Sequence, residues 1–460
     1  MLIKIILGLI GLGIVVFVHE LGHFLAARMM GIGVDAFSIG WGKPILKKKI
    51  GEVEYRLGIF PLGGYCKMKG DADYETVYKN SMEGKKAEEG TYYAASPMRR
   101  AFTCLAGPLF NLIFAALVLS VIWGRGFEVN TLGNRIVLAS EIVGGSANPA
   151  DEAGLKTGDR IVSIMGRPTE TFHDIQEIIA LNPGTELPIL VERDGEILEL
   201  SVTPLMDRST GAGRIGIYFW TDPLIERIVQ GGAAEAAGLQ SGDMISRVNG
   251  SELPHTMALY RMMEDRLLEE SAFGEGVMAF DIEFIREGQV LETTLLAGGE
   301  DGGGDLGLAW EAVRYHTPRL SFAGAIVKGA QETWRTFTIS VRSLSLLFKG
   351  IDLTSAVSGP VRITYMVGEA ATQGFNQSFG SGISSMASFL ALISIALCIM
   401  NLLPLPILDG GMILLFLFEG LRRKPLHPRF VSVFQAAGVL IIASLMIFAI
   451  FGDILYLANR

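Results

Sequence analysis

His19-Glu20-Leu21-Gly22-His23 sets two imidazoles four residues apart, with a carboxylate beside the first. On a helix, positions i and i+4 share a face, so both rings can reach one metal ion, and Glu20 is placed to take a proton from a water at that ion. Five residues with three fixed positions are weak on their own. Here, however, the trio interrupts a long apolar run from Lys4 to Arg28, and ionisable groups in hydrocarbon cost on the order of 3 kcal/mol each unless they have a partner or a task. Catalytic zinc takes three protein ligands and leaves a fourth position open. Asp409, the single charge between Ile383 and Phe418, is the candidate third ligand. It sits in Asn401-Leu-Leu-Pro-Leu-Pro-Ile-Leu-Asp409-Gly-Gly411, where Pro404 and Pro406 remove backbone donors and break the helix. A broken helix at membrane depth is tolerated where it lines a protein or water-filled cavity. The residues therefore offer His19 and His23 as a metal-binding pair with Glu20 beside them, and Asp409 as either the third ligand or a helix-pairing carboxylate.

These groups need elements that carry them through a bilayer. The chain has 460 residues, half of them hydrophobic and only 19% charged, with a mean hydropathy of +0.39. That excludes disorder and a basic nucleic-acid binder, and points to a membrane protein with a sizeable soluble part. Four apolar segments are long enough to cross: 1–30, 101–124, 383–418 and 430–452. A cleaved leader is disfavoured for the first, because the run continues through the charged trio with no small-residue cleavage site after it. Residues 29–100 hold 12 Lys/Arg, and 419–430 hold four basic residues against Glu419 alone. Basic short loops stay inside, so 73–100 reads as a cytoplasmic loop. Both termini and the acidic 125–380 region lie outside, and the metal residues lie toward the cytoplasmic side. Cys66, Cys104 and Cys398 form neither a disulfide framework nor a zinc-thiolate pattern.

The outside region repeats itself. Ala150, Gly154-Leu155, Gly158-Asp159, Ile161 and Gly166 recur 84 residues later as Ala234, Gly238-Leu239, Gly242-Asp243, Ile245 and Gly250. Each copy is followed by a strand–turn–strand pattern, with turns at Asp194-Gly195 and Glu287-Gly288. The pattern A-x-x-A-G-L-x-x-G-D-x-I resembles the PDZ domains of bacterial envelope proteases, placed at 131–206 and 215–300. Such grooves take a peptide as an added strand and cradle its C-terminal carboxylate. Two domains above a membrane site could instead exclude bulky substrates. Beyond them, 315–350 has apolar residues at three- and four-residue spacings (Trp334, Phe337, Val341, Leu344, Phe348) among Lys and Arg, which predicts an amphipathic helix at the membrane interface.

Val15 to His23 together with Asn401 to Gly411 resembles the site-2 protease family of intramembrane zinc metalloproteases. The tandem PDZ pair is similar to the regulator-of-sigma-E group. The resemblance implies a polytopic α-helical membrane protein of four spans, with a membrane-associated β element at 31–72 and two extracytoplasmic α+β PDZ domains. It implies zinc at His19, His23 and Asp409, Glu20 as base, and Asn401, Pro404 and Pro406 holding the substrate. It also implies a bacterial inner-membrane enzyme with periplasmic termini and PDZ domains. Its substrates would be single-span membrane proteins, anti-sigma-factor-like or signal-peptide remnants, already cut once outside. Ser358-Gly359-Pro360 matches a recurrent family segment. Gly63-Gly64, in the β element, would let a substrate backbone approach closely. Met412 stands where many relatives have His, and Ala396 where some have Asn. The competing readings are a non-catalytic membrane-anchored PDZ scaffold and a metal-dependent transporter. Peptide C-termini and the lipid bilayer are the further expected partners, and nucleic acid is not among them.

Overall fold

The computed structural model describes residues 2–71, 75, 78, 79, 88–143, 147–207, 210–270, 278–297, 306–310, 313–346, 359–377 and 379–458. Residues 73, 74, 76, 77 and 80–87 of the 73–100 loop, 298–300 of the second repeat, Phe348 and Ser358 fall outside them. The chain divides into two compact units.

The first unit holds the apolar helices. Helix α1 (Leu2–Met29) leads into a hairpin of two long strands, β1 (Val34–Ile50) and β2 (Val53–Met68). Helix α2 spans Pro97–Arg125. After the soluble region come α3 (Phe322–Leu346), α4 (Pro360–Gln377), α5 (Phe379–Leu402), α6 (Asp409–Arg422) and α7 (Pro428–Ala458). Four stretches have the length and composition of membrane spans: Lys4–Met29, Pro97–Arg125, Gly382–Leu402 and Pro428–Asp453. The expected single segment 383–418 is thus two helices. Pro404 and Pro406 cannot donate to a helical ladder, and α6 starts afresh at Asp409.

Both hairpin strands are long enough to bend back. Ala36–Ile39 pairs with Gly64–Lys67 on one side and, in rising order, with Glu54–Leu57 on the other, while Leu46–Ile50 pairs with Val53–Leu57. Two chain segments thereby make four passes, and Gly64–Lys67 is an outer one. One apolar cluster binds this sheet to three helices: Phe24 and Ala27 of α1, Phe37 and Val53 of the hairpin, Cys104 of α2, and Leu415 and Phe416 of α6. A buried ion pair closes the same region. Arg100 makes two bonds to Glu419, at 2.8 and 3.3 Å, over the face of Phe416.

Helix α3 departs from the expected interfacial position. Gly329 lets its backbone close on Ser120 and Ala116, Ala325 meets Gly124, and Phe337 and Leu344 join the Leu112–Ala115 cluster. Helix α3 therefore follows α2 over about 12 residues, roughly 18 Å, rather than lying across its end. Pro360 opens α4, whose first amides are capped from α7: Gly359 N and Arg362 N donate to Asp453, at 2.9 and 3.1 Å.

The second unit contains the two repeats, each built on a four-stranded antiparallel sheet. The strand orders match: 167–168, 160–164, 187–193, 196–202 in the first, and 251–252, 244–248, 278–286, 289–297 in the second. The repeated Gly-Asp pair has a structural reason. Asp159 accepts from the Lys156 amide and two bonds from Arg193; Asp243 accepts from the Gln240 amide and two from Arg286, all at 2.7–2.8 Å. The domain boundaries lie later than 131–206 and 215–300. Ile215, Ile217 and Phe219 pack into the first core, and Ile217–Phe219 pairs with Ile136–Leu138. Leu306, Leu308 and Trp310 complete the second core in the same way. Each domain thus takes its last strand from chain beyond the motif-bearing body, a contribution that a repeat motif cannot reveal.

Candidate metal centre

Helices α1 and α2 cross where side chains are smallest. A methyl on Gly22 would strike the Ala106 carbonyl, and one on Gly107 would strike both His23 and His19. The imidazoles therefore occupy the space that Gly107 leaves open. Both histidines are buried, with Nε2 of His19 and Nε2 of His23 only 3.2 Å apart. Asp409 completes the group from the first turn of α6, where a helix N-terminus favours a carboxylate. Its oxygens lie 3.3 Å from His19 Nε2 and 3.5 Å from His23 Nε2. One ligand atom from each of the three residues falls within 4.8 Å of the others.

The turn that delivers Asp409 is tight. Ile407 has φ +78°, a conformation that a β-branched residue rarely accepts. Side chains at Gly410 or Gly411 would collide with the carbonyls of Leu402 and Leu405. Such strain persists only where the surroundings enforce it; here Pro406 is pressed against Gly438 of α7.

The donor set fits a zinc ion. Two neutral imidazoles and a carboxylate make a three-ligand catalytic set. Oδ2 of Asp409 is buried without a hydrogen-bond partner, an arrangement that is costly unless a cation completes it. The outer ring nitrogens are held: His23 Nδ1 is 2.9 Å from the Thr103 carbonyl, and His19 Nδ1 is 3.2 Å from the Asn111 amide.

Glu20 lies beside this set, against the outer strand of the hairpin. Its Cγ faces Gly64, where an added methyl would come within 3.1 Å, and the Cys66 main-chain amide is directed to its carboxylate. Gly63, at φ +87°, leaves room for the Trp41 indole. The neighbours that require these two glycines are therefore Trp41, Ser38, Glu20 and Val16. Asn401 is half-buried at the last turn of α5, Pro404 is exposed and Pro406 half-buried in the break that follows. Sequence reasoning missed Thr103, Gly107 and Asn111, which together seat both imidazoles. The available signal was a Gly-Pro step, Gly107-Pro108, and one amide inside an apolar helix.

Comparison with known proteins agrees with this chemistry. The family model described as peptidase family M50 matches residues 7–445. A protein of Treponema pallidum (strain Nichols) named as a zinc metalloprotease is 36% identical over 457 residues, covering 99% of this chain and all of the relative. The regulator of sigma E protease of Haemophilus influenzae is 29% identical over 478 residues, covering 98% of each. Matched over nearly its whole length, the chain belongs to peptidase family M50, the site-2 proteases, and is an intramembrane zinc metalloprotease.

Proposed function

We propose that the chain cuts single-span membrane proteins within the bilayer after an earlier cut has removed their outer domain, with His19, His23 and Asp409 holding zinc and Glu20 as general base. The observation that carries this reading is the meeting of those three ligand atoms directly beside Glu20 and an outer β strand. Zinc, when bound, supplies Lewis acidity toward a carbonyl and toward water. Glu20 takes the proton of the attacking water and returns it to the leaving amine. A helical peptide hides its scissile carbonyl in intrahelical bonds. The substrate therefore unwinds, and its freed N–H and C=O groups pair along Gly64–Lys67, with Asn401 and the Pro404–Pro406 break on its other side.

The two repeat domains are read as PDZ domains that filter by size. In such a domain a peptide adds as an extra strand at a sheet edge. In the first repeat the space between strand 215–219 and helix Phe172–Ala180 is filled from within: Phe172 meets Phe219 at 5.8 Å, and Ile175, Ile179 and Ile215 are buried. The domains are also joined tightly, with Trp220 between the Arg135 guanidinium at 3.6 Å and the His255 ring at 4.8 Å. A first-repeat groove filled from within suits exclusion better than recruitment. In this reading the protein sits in a bacterial inner membrane, with the repeats periplasmic and the metal toward the cytoplasm.

The test is cleavage of a purified single-span substrate in bilayers, with and without a folded outer domain. Glu20→Gln should trap the trimmed substrate uncut. Deleting 131–310 should let the untrimmed substrate be cut; unchanged selectivity would reject the filter. A reporter after Arg99 should read cytoplasmic and one at Gly211 periplasmic. Finding both on one side would overturn the orientation.

A further inference from the structure

A nitrogen that binds a metal must offer a lone pair. With the Nε2 atoms of His19 and His23 facing Asp409, each ring carries its proton on Nδ1, and each Nδ1–H requires an acceptor. His23 has one in the Thr103 carbonyl at 2.9 Å. His19 has only an amide beside it, Nδ2 of Asn111 at 3.2 Å, and in that orientation Nδ2–H would donate to a bare Nδ1 and force the proton onto Nε2. The partner atom of the same amide, Oδ1, is fully buried with no hydrogen-bond partner. An Asn amide turned by 180° fills the same space with nitrogen and oxygen exchanged.

We propose that Asn111 is the positioning residue for His19: in the metal-loaded protein its Oδ1 accepts the His19 Nδ1–H and thereby fixes Nε2 as a metal-directed lone pair. This inference rests on the zinc reading above and extends it to a residue outside the ligand set.

The helix geometry supports it. Main-chain carbonyls point toward a helix C-terminus and side chains lean toward its N-terminus. From Thr103 and Asn111 the two acceptors therefore converge on the level of Gly107, where the imidazoles lie. Asn111 is itself fixed by α5, since Ser394 Oγ donates to its main-chain carbonyl at 2.9 Å. Both residues have no solvent exposure, so neither is available to a substrate. Turning the amide merely exchanges which of its atoms lacks a partner. A buried amide of this kind brings no packing benefit over leucine, and its contact with His19 gives it a task.

The decisive experiment is ¹⁵N NMR of the full chain in nanodiscs, with its six histidines labelled and His19 signals identified by His19→Gln. The zinc-loaded protein should show His19 Nδ1 protonated. In parallel, zinc affinity is measured by chelator competition. Asn111→Leu, which keeps the branched outline with more bulk and loses the acceptor, should weaken zinc binding by about 10–100-fold. Asn111→Asp, which can only accept, should recover most of that loss. A purely packing role gives the reverse order, because leucine suits an apolar site and a buried carboxylate does not. A bare His19 Nδ1 in zinc-loaded protein, or Leu tolerated better than Asp, overturns this proposal and leaves the zinc reading standing. A chain that takes up no zinc overturns both.

Discussion

Two regions of this molecule bury a carboxylate, and they do so in opposite ways. In the soluble repeats, Asp159 and Asp243 are each enclosed by an arginine fork and a main-chain amide, so both oxygens are satisfied by the chain itself. In the membrane unit, Asp409 faces two imidazoles and one of its oxygens has no hydrogen-bond partner. A carboxylate completed by its own chain contributes to the fold. A carboxylate left incomplete, in a place where incompleteness is expensive, is prepared for a ligand. The same residue type is thus completed by the chain in the repeats and left open to a cation at Asp409.

The contrast can be broken by exchanging outcomes. The largest effect is expected from Asp409→Ala, which should lose zinc by more than the roughly 100-fold that outer-shell changes reach, with little change in folding. Asp243→Asn should do the opposite. Leaving Arg286 without its partner should destabilise the second repeat, read as faster amide exchange in 278–297, with zinc content unchanged. Zinc loss in Asp243→Asn, or unfolding in Asp409→Ala, would erase the distinction.

Gly107→Ala sharpens it. Alanine in place of glycine inside a helix normally gains about 1 kcal/mol, yet here the methyl would strike both imidazoles. The account expects diminished zinc content by metal analysis despite the better helix former. Glu20→Gln gives the complementary separation: zinc retained and turnover reduced by about 100- to 10,000-fold. Loss of metal in that variant would place Glu20 among the ligands.

The smallest effect concerns pH. Burial works to raise the Asp243 carboxyl, but the Arg286 guanidinium and the Gln240 amide more than reverse it and hold the group below the usual carboxylate range. Its contribution to stability is therefore complete above the unfolded value near ~3.9 and is lost as pH falls through the folded value. Amide exchange in 278–297 should accelerate below about pH 4 in the wild type and show a flatter acid dependence in Asp243→Asn.

Much of the site was legible because membranes make exceptions visible. In an apolar run every ionisable group stands out, so His19, His23 and Asp409 could be picked from spacing and isolation. The repeat motif was equally plain, since Gly-Asp recurs at a fixed offset. What stayed hidden is long-range. Nothing near Asp243 names Arg286 as its partner, and nothing near Trp310 says that it completes the domain beginning at Ile225. Helix α3 carries the charge pattern of an interfacial helix, and only its long-range contacts, Gly329 against Ser120 and Ala325 against Gly124 among them, show that it follows α2. Asn111 and Thr103 were hidden for a further reason: their role depends on tautomers, which spacing does not encode.

The central claim is that His19, His23 and Asp409 together hold zinc. X-ray absorption at the zinc edge of the purified full chain tests it most directly. The account predicts one zinc per chain with only nitrogen and oxygen neighbours at about 2.0–2.2 Å, including two imidazoles, and loss of that signal in Asp409→Ala. A sulfur neighbour near ~2.3 Å, or an unchanged spectrum in Asp409→Ala, would contradict it.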